Sequence, residues 1–236
     1  MNKIAPLYLL PAPLAEADFS LLFPAFNGKI INEIDYYIVE ESRTARRFLR
    51  AMNIAKPIAN LTFFELNEHA RGVNLETYLA PCLQGHATAL LSEAGTPCVA
   101  DPGSKVVAIA HRLSIPVIPL IGPNSILLAL MASGFNGQSF AFHGYLPVDR
   151  QKRETELRFY ENLLKKNGQT QIFIETPYRN NHFLESILTT CSPDTRLCVA
   201  CNLTSPEQVI RAQSISKWRN TKIDLHKKPT IFLLGK

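Results

Sequence analysis

No cationic stretch followed by a long apolar run opens the chain, so nothing there reads as a secretory signal, and the expected setting is cytoplasmic with reduced thiols. A G-x-G-x-x-G sequence is absent, which removes the nucleotide fingerprint of Rossmann dehydrogenases. Uninterrupted hydrophobic runs are scarce as well. The longest apolar region, Ile115 to Ala132, is broken by Pro116, Pro119, Gly122, Pro123 and Asn124. That punctuation predicts a strand, a turn and a helix in place of a membrane span. Internal repeats and low-complexity segments are also missing. Cysteines number five, and Cys198-x-x-Cys201 is the one pair with two-ligand spacing. No second pair accompanies it and it falls in a strand-like run, so structural cysteines are expected rather than zinc or redox chemistry, and no metal site is expected.

What is present suits a globular protein. The 236 residues are 46% hydrophobic and 19% charged, enough to build a sizeable core in one domain or two small ones and too apolar for a disordered chain. The formal charge of +5 permits an anionic partner such as nucleic acid without requiring one.

The stretch Ala87 to Gly103, ATALLSEAGTPCVADPG, organises the first half. Its apolar opening reads as a buried strand, Ser92 to Pro97 as a loop at the strand's carboxyl end, and Asp101-Pro102-Gly103 as a turn before the helix Lys105 to Leu113. Strands are expected at Ile4 to Leu10, Ile34 to Val39 and Ile115 to Leu120, with turns at Pro11 to Pro13, Asn27-Gly28, Glu40 to Arg43 and Ile121 to Asn124. Leu75 to Leu83 and Ile126 to Ala132 read as helices. Repeated βα units with short connections imply a mostly parallel sheet covered on both faces, and right-handed crossovers bring the turns after its strands to one edge, where α/β sheets bind ligands.

From Ser139 the pattern changes. Strands are expected at Ser139 to Leu146, Gln171 to Glu175, Arg196 to Leu203 and Thr230 to Leu234, with helices over Asp149 to Lys166 and Asn180 to Thr189. Glu207 to Gln213 and Lys217 to Lys228 resist assignment. Pro229 before the last of these strands suits an edge strand or a strand start. The expected architecture is α/β in two domains, residues 1–121 with a mostly parallel sheet and 122–236 with a mixed one, and the main cleft between them.

Several residues carry chemistry. On the helix following Glu40-Glu41-Ser42, Arg43, Arg47 and Arg50 fall at i, i+4 and i+7 and share one face, either to bind phosphates or as a solvated, salt-bridged surface. Phe64 to His69 gathers a carboxamide, two acids and an imidazole, where a general base and a helix cap are both open.

In chain order, Pro11-Ala12-Pro13, Glu40-Glu41-Ser42-Arg43-Thr44, Asn67-Glu68-His69, Ser92-Glu93-Ala94-Gly95-Thr96-Pro97 and Asp101-Pro102-Gly103 resemble motifs of the tetrapyrrole methylase superfamily. So do Gly122-Pro123-Asn124-Ser125, Phe142 to Pro147, Ile174 to Arg179 and Leu203-Thr204. Within that superfamily the chain most resembles the bacterial small-subunit ribosomal RNA methyltransferase I family. It departs from that family's pattern in having Ala15-Glu16 for a glycine and asparagine, Glu93 for an aspartate and Asn202 for a glutamate.

The resemblance implies a homodimeric two-domain enzyme that binds S-adenosylmethionine at the domain cleft and methylates a cytidine ribose 2′-hydroxyl of 16S ribosomal RNA. Carried over residue by residue, it assigns Pro11, Pro13, Ser92, Glu93, Ala94, Gly95, Thr96, Pro97, Gly122 and Pro123 to the cofactor, with Ile174 and Glu175 from the second domain. Arg43, Arg47, Arg50, Tyr145, Tyr178 and Arg179 become the expected substrate contacts, and Glu41 or His69 the expected base. Methylation of a tetrapyrrole or other metabolite, and a non-catalytic RNA-binding relative, are the alternatives.

Overall fold

The structure, a computed structural model, describes residues 3–16, 18–66 and 74–236. The chain divides into two compact units, the first ending at Asn124 and the second beginning at Ser125.

The first unit is built on five strands, β1 (Leu7–Leu10), β2 (Tyr36–Val39), β3 (Thr62–Glu65), β4 (Thr88–Leu91) and β5 (Val117–Pro119), in the order β3-β2-β4-β1-β5 with every pairing parallel. A parallel sheet must be covered on both faces, and side-chain alternation shows that it is. Leu10, Tyr37, Val39, Ala89 and Leu91 pack on one side with α2 (Ala25–Glu33) and α3 (Ser42–Ala51), whereas Leu7, Ile38 and Leu90 pack on the other with Val106 and Ala110 of α5 (Ser104–Arg112). A short helix, α1 (Phe19–Leu22), follows the β1 turn.

Three sequence expectations shift here. Asn27-Gly28 lies inside α2, because Asn27 is buried and its amide donates to the Ile121 carbonyl at 2.8 Å, a tertiary bond that outweighs its turn preference. Leu75 to Leu83 is a 3₁₀ turn over Leu75–Leu79 followed by α4 (Ala80–Leu83), with Pro81 in the first turn of α4 where its missing N–H costs nothing. Phe64 and Glu65 belong to β3, Leu66 follows with its N–H on the Val39 carbonyl, and Asn67, Glu68 and His69 lie outside the described residues.

The second unit carries α6 (Ser125–Ser133), β6 (Phe140–Tyr145), α7 (Arg150–Asn167), β7 (Thr170–Ile174), α8 (Asn180–Thr190), β8 (Arg196–Cys201), β9 (Val209–Ser214), α9 (Ile215–Trp218) and β10 (Thr230–Gly235). Its sheet is mixed, in the order β6-β7-β10-β8-β9, with β6 and β7 parallel and the other neighbours antiparallel. Pro229 therefore precedes a central strand, where the strand-start position alone makes it tolerable. Phe173, Phe183, Phe232 and Trp218 fill the core, and the Trp218 indole donates to the Leu197 carbonyl at 2.8 Å. Cys198 and Cys201 are buried on β8, three residues apart and so on opposite faces, and burial pushes the Cys198 thiol up to about 12. No helix among the described residues is long and apolar enough to cross a membrane.

Candidate functional site

Because the first sheet is wholly parallel, the turns after β1, β2, β4 and β5 leave it at the same edge. They are stitched to one another. Ala12 and Gly95 exchange backbone hydrogen bonds of 2.8 and 3.0 Å, joining the β1 turn to the β4 loop. Gly95 has a φ of +72°, a conformation that L side chains rarely adopt. Within the β4 loop the Ser92 hydroxyl donates to the Gly95 carbonyl at 2.7 Å. The Asn124 amide donates to the Thr96 hydroxyl at 2.6 Å and ties in the β5 turn. Gly122 packs so closely on Pro11 that a Cβ there would lie 2.5 Å from the proline's own Cβ. Pro11, Pro13, Ser92 to Pro97, Gly122 and Pro123 thus form one assembly in the first unit.

The turn after β2 adds acids. Glu41 is the N-cap of α3; its carboxylate accepts the Arg43 and Thr44 N–H groups at 2.7 and 2.8 Å and the Thr44 hydroxyl at 2.8 Å. Those bonds, led by the Arg43 N–H, hold the Glu41 carboxyl below its usual range. A capping carboxylate with a lowered pKa is a weaker base than the sequence suggests. Ser42 fastens the same helix to β3 through the Glu65 carboxylate.

Glu40 and Asp101 were not among the expected site residues, yet their carboxyl groups meet beneath the β4 loop. The buried atoms Glu40 Oε1 and Asp101 Oδ2 receive no hydrogen from any other group among the described residues. Burial, then the Asp101 charge and the hydrogen bond between the two, pushes Glu40 up to about 7. The proton is shared by the pair: Glu40 keeps it to higher pH than an exposed carboxyl does, and Asp101, its own pKa raised by burial, accepts the hydrogen bond. The Glu40 carboxyl also takes the Glu93 N–H, so it links the start of the β4 loop to its end. Both acids stand in turns that are plain in the sequence; that they touch is a tertiary fact with no local signal.

Glu93 exposes much of its surface; partial burial first and the Glu40 charge second raise its pKa, against the Thr44 hydroxyl and Glu41 N–H that bond to it. It lines a pocket of about 450 Å³ with the β1 turn, Phe19, Thr44, Arg47, Phe48, Ser92 and Ala94. Among the three expected arginines, Arg47 alone lines this pocket; Arg43 and Arg50 are exposed on α3, and Arg46 lies over the Phe63 ring at 5.0 Å.

In the second unit, Ile174 ends β7 and Glu175 follows it. The buried Glu175 carboxylate accepts the Thr176 N–H at 2.6 Å and two Arg179 nitrogens at 2.6 and 3.0 Å, so Arg179 is engaged in holding Glu175. Tyr178 is 66% exposed, with Lys227 Nζ 5.8 Å from its ring centroid and the His226 ring edge-on. Tyr145, at the end of β6, is 55% exposed.

A family model described as Tetrapyrrole (Corrin/Porphyrin) Methylases matches residues 29–217. Among curated proteins, the Ribosomal RNA small subunit methyltransferase I of Vibrio cholerae is 28% identical over 221 residues, covering 92% of this chain and 73% of the relative. That of Bacillus subtilis is 30% identical over 217 residues, covering 91% and 70%. The relative from Halalkalibacterium halodurans is 32% identical over 182 residues, 77% of this chain, and there the match spans 59% of the relative's length. Among solved structures, the methyltransferase CobJ superposes with a TM-score of 0.64 at 17% identity, over 98% of this chain and 94% of CobJ, a likeness of fold.

Proposed function

The chain belongs to the tetrapyrrole (corrin/porphyrin) methylase family, and from that premise we propose that it is an S-adenosylmethionine-dependent methyltransferase whose acceptor is a ribose 2′-hydroxyl of 16S ribosomal RNA. The observation that carries this reading is the stitched assembly of the β1, β4 and β5 turns at one sheet edge. Its support on the acceptor side is the relatives named for ribosomal RNA of the small subunit, together with the positive net charge.

The residues present fit the cofactor. The turns offer backbone carbonyls, hydroxyls and carboxyl groups to a cationic sulfonium, and small residues such as Ala12, Ala94 and Gly95 allow close approach. Pro11, Pro13, Ser92 to Pro97, Gly122 and Pro123 hold it in this reading. Bound there, S-adenosylmethionine supplies an electrophilic methyl group. The protein's own share is to fix the acceptor oxygen in line, exclude water and accept the hydroxyl proton. Arg43, Arg47 and Arg50 serve RNA phosphates, and Tyr145 and Tyr178 offer faces on which a base stacks. A homodimer acting in the cytoplasm belongs to the same proposal.

The test incubates the purified protein with methyl-labelled S-adenosylmethionine and small ribosomal subunits from cells lacking it, mapping any product by mass spectrometry. A single 2′-O-methylated nucleotide is expected. Label entering a tetrapyrrole or other small molecule, with none in RNA from subunits or from naked transcripts, sinks the acceptor assignment.

A further inference from the structure

The β4 loop has two sides. Gly95 and Thr96 face the β5 turn, whereas Ser92, Glu93 and Ala94 face the pocket of about 450 Å³ closed by the β1 turn and α3. We propose that this pocket receives the acceptor nucleoside, and that Glu93 removes its hydroxyl proton and passes it through the Thr44 hydroxyl to Glu41 at the surface. The proposal rests on the methyltransferase reading above.

The volume lies within the range of small-ligand sites, and one nucleoside fits it with room for its phosphate. The walls suit a flipped-out base. Phe19 and Phe48, with ring centroids 5.8 Å apart, supply aromatic surface, and the guanidinium of Arg47 suits the nucleotide's phosphate.

The proton path is drawn by hydrogen bonds. Glu93 is anchored at both ends, its N–H on Glu40 and its carboxyl on the Glu41 N–H and the Thr44 hydroxyl. Thr44 also stands 2.8 Å from Glu41 Oε2. One hydroxyl cannot donate to two carboxylates at once. Once Glu93 is protonated, Thr44 accepts from it and donates to Glu41, so each hop moves one hydrogen along an existing bond. Partial burial and the Glu40 charge make Glu93 the stronger base, and the N-cap bonds keep Glu41 the weaker one, which releases to water. The charged groups around Glu93 are Glu40 from the end of β2, Glu41 and Arg47 from α3, Glu16 from the β1 turn and Asp101 from its own loop. Overall an oxygen–carbon bond forms as the carbon–sulfur bond of the sulfonium donor breaks, sulfur leaves as a neutral thioether, and one proton reaches solvent.

Full-length protein and its Glu93→Gln, Thr44→Val, Thr44→Ser and Arg47→Ala variants provide the test. Cytidine and cytidine 5′-monophosphate are titrated calorimetrically, with NMR shifts locating the site. The Glu93 carboxyl is titrated by carbon-13 NMR, and single-turnover methyl transfer to unmodified subunits is followed against pH. Both probes are expected to bind at the pocket, with Arg47→Ala weakening the nucleotide about tenfold and leaving cytidine unchanged. Glu93→Gln keeps nucleotide binding but lowers the rate about 100-fold or more and removes the limb that rises with pH. Thr44→Val raises the Glu93 pKa and slows transfer, and Thr44→Ser restores both.

Failure of either probe to bind at the pocket, or a Glu93→Gln enzyme with wild-type rate and pH profile, overturns the proposal. So does a Glu93 titration that is indifferent to Thr44→Val. If wild-type protein transfers no methyl group to any RNA, the acceptor assignment falls. Nucleotide binding and the Thr44-dependent titration then decide the pocket and the relay by themselves.

Discussion

Removing the Glu41 carboxylate leaves the first turn of α3 without the acceptor for its Arg43 and Thr44 N–H groups. Glu41→Ala should therefore destabilise the protein, seen as a lower urea midpoint at unchanged slope. Glu40 behaves oppositely with pH. Its pKa is raised from 4.5 to about 7, so the folded state keeps a proton that the unfolded chain has lost. The associated stability is full below pH 4.5, falls as pH rises and is gone above 7. Glu40→Gln abolishes that loss, and its stability relative to wild type should improve on the order of 1 kcal/mol between pH 5 and 8, after allowance for solvent screening. Chemical denaturation at the two pH values measures it, and parallel curves for the two proteins would refute the shared proton. At Gly122 the obstacle is steric. A methyl group there meets Pro11 and Phe23, so Gly122→Ala should cost about 1–3 kcal/mol in thermal or urea unfolding and weaken cofactor binding by displacing the β1 turn.

At the scale of elements, α3 is the one whose two faces do different work. Ala45, Phe48 and Leu49 are buried, and Arg43, Arg46, Arg47 and Arg50 are exposed. Replacing Arg43, Arg47 or Arg50 by alanine should each reduce the slope of log affinity for RNA against log salt by about 1, with little change in stability. An unchanged slope removes that helix face from the RNA contact. The same helix shows what a sequence can disclose. Its 3.6-residue pattern and its capping acid are local, as are the Pro, Gly and Asn turns after β1, β4 and β5, and all of these were readable. Contacts remote in sequence were not. Asn27-Gly28 reads as a turn until the Ile121 carbonyl is supplied, Val209 to Ser214 becomes a strand through pairing with β8, and Pro229 suggests an edge because local chemistry does not reveal strand order. In the site, the individual acids were visible, but the Glu40–Asp101 proton and the bond from Glu93 to Thr44 exist only after the turns converge.

At the scale of the molecule, the chain's single tryptophan gives the second unit a private reporter, since Trp218 is 1% exposed within that unit's core. Leu157→Ala, in the same cluster, should destabilise that unit by about 2–5 kcal/mol and shift the Trp218 fluorescence transition accordingly. The order β6-β7-β10-β8-β9 carries a consequence in time. During synthesis β7 and β8 are both made before the strand that joins them, so each waits with an edge of unpaired backbone N–H and C=O groups beside apolar side chains such as Phe173 or Leu197 and Val199. A nascent chain at that stage is two half-sheets with matching sticky borders, and it is most exposed to self-association in the seconds before β10 leaves the ribosome and slots between them.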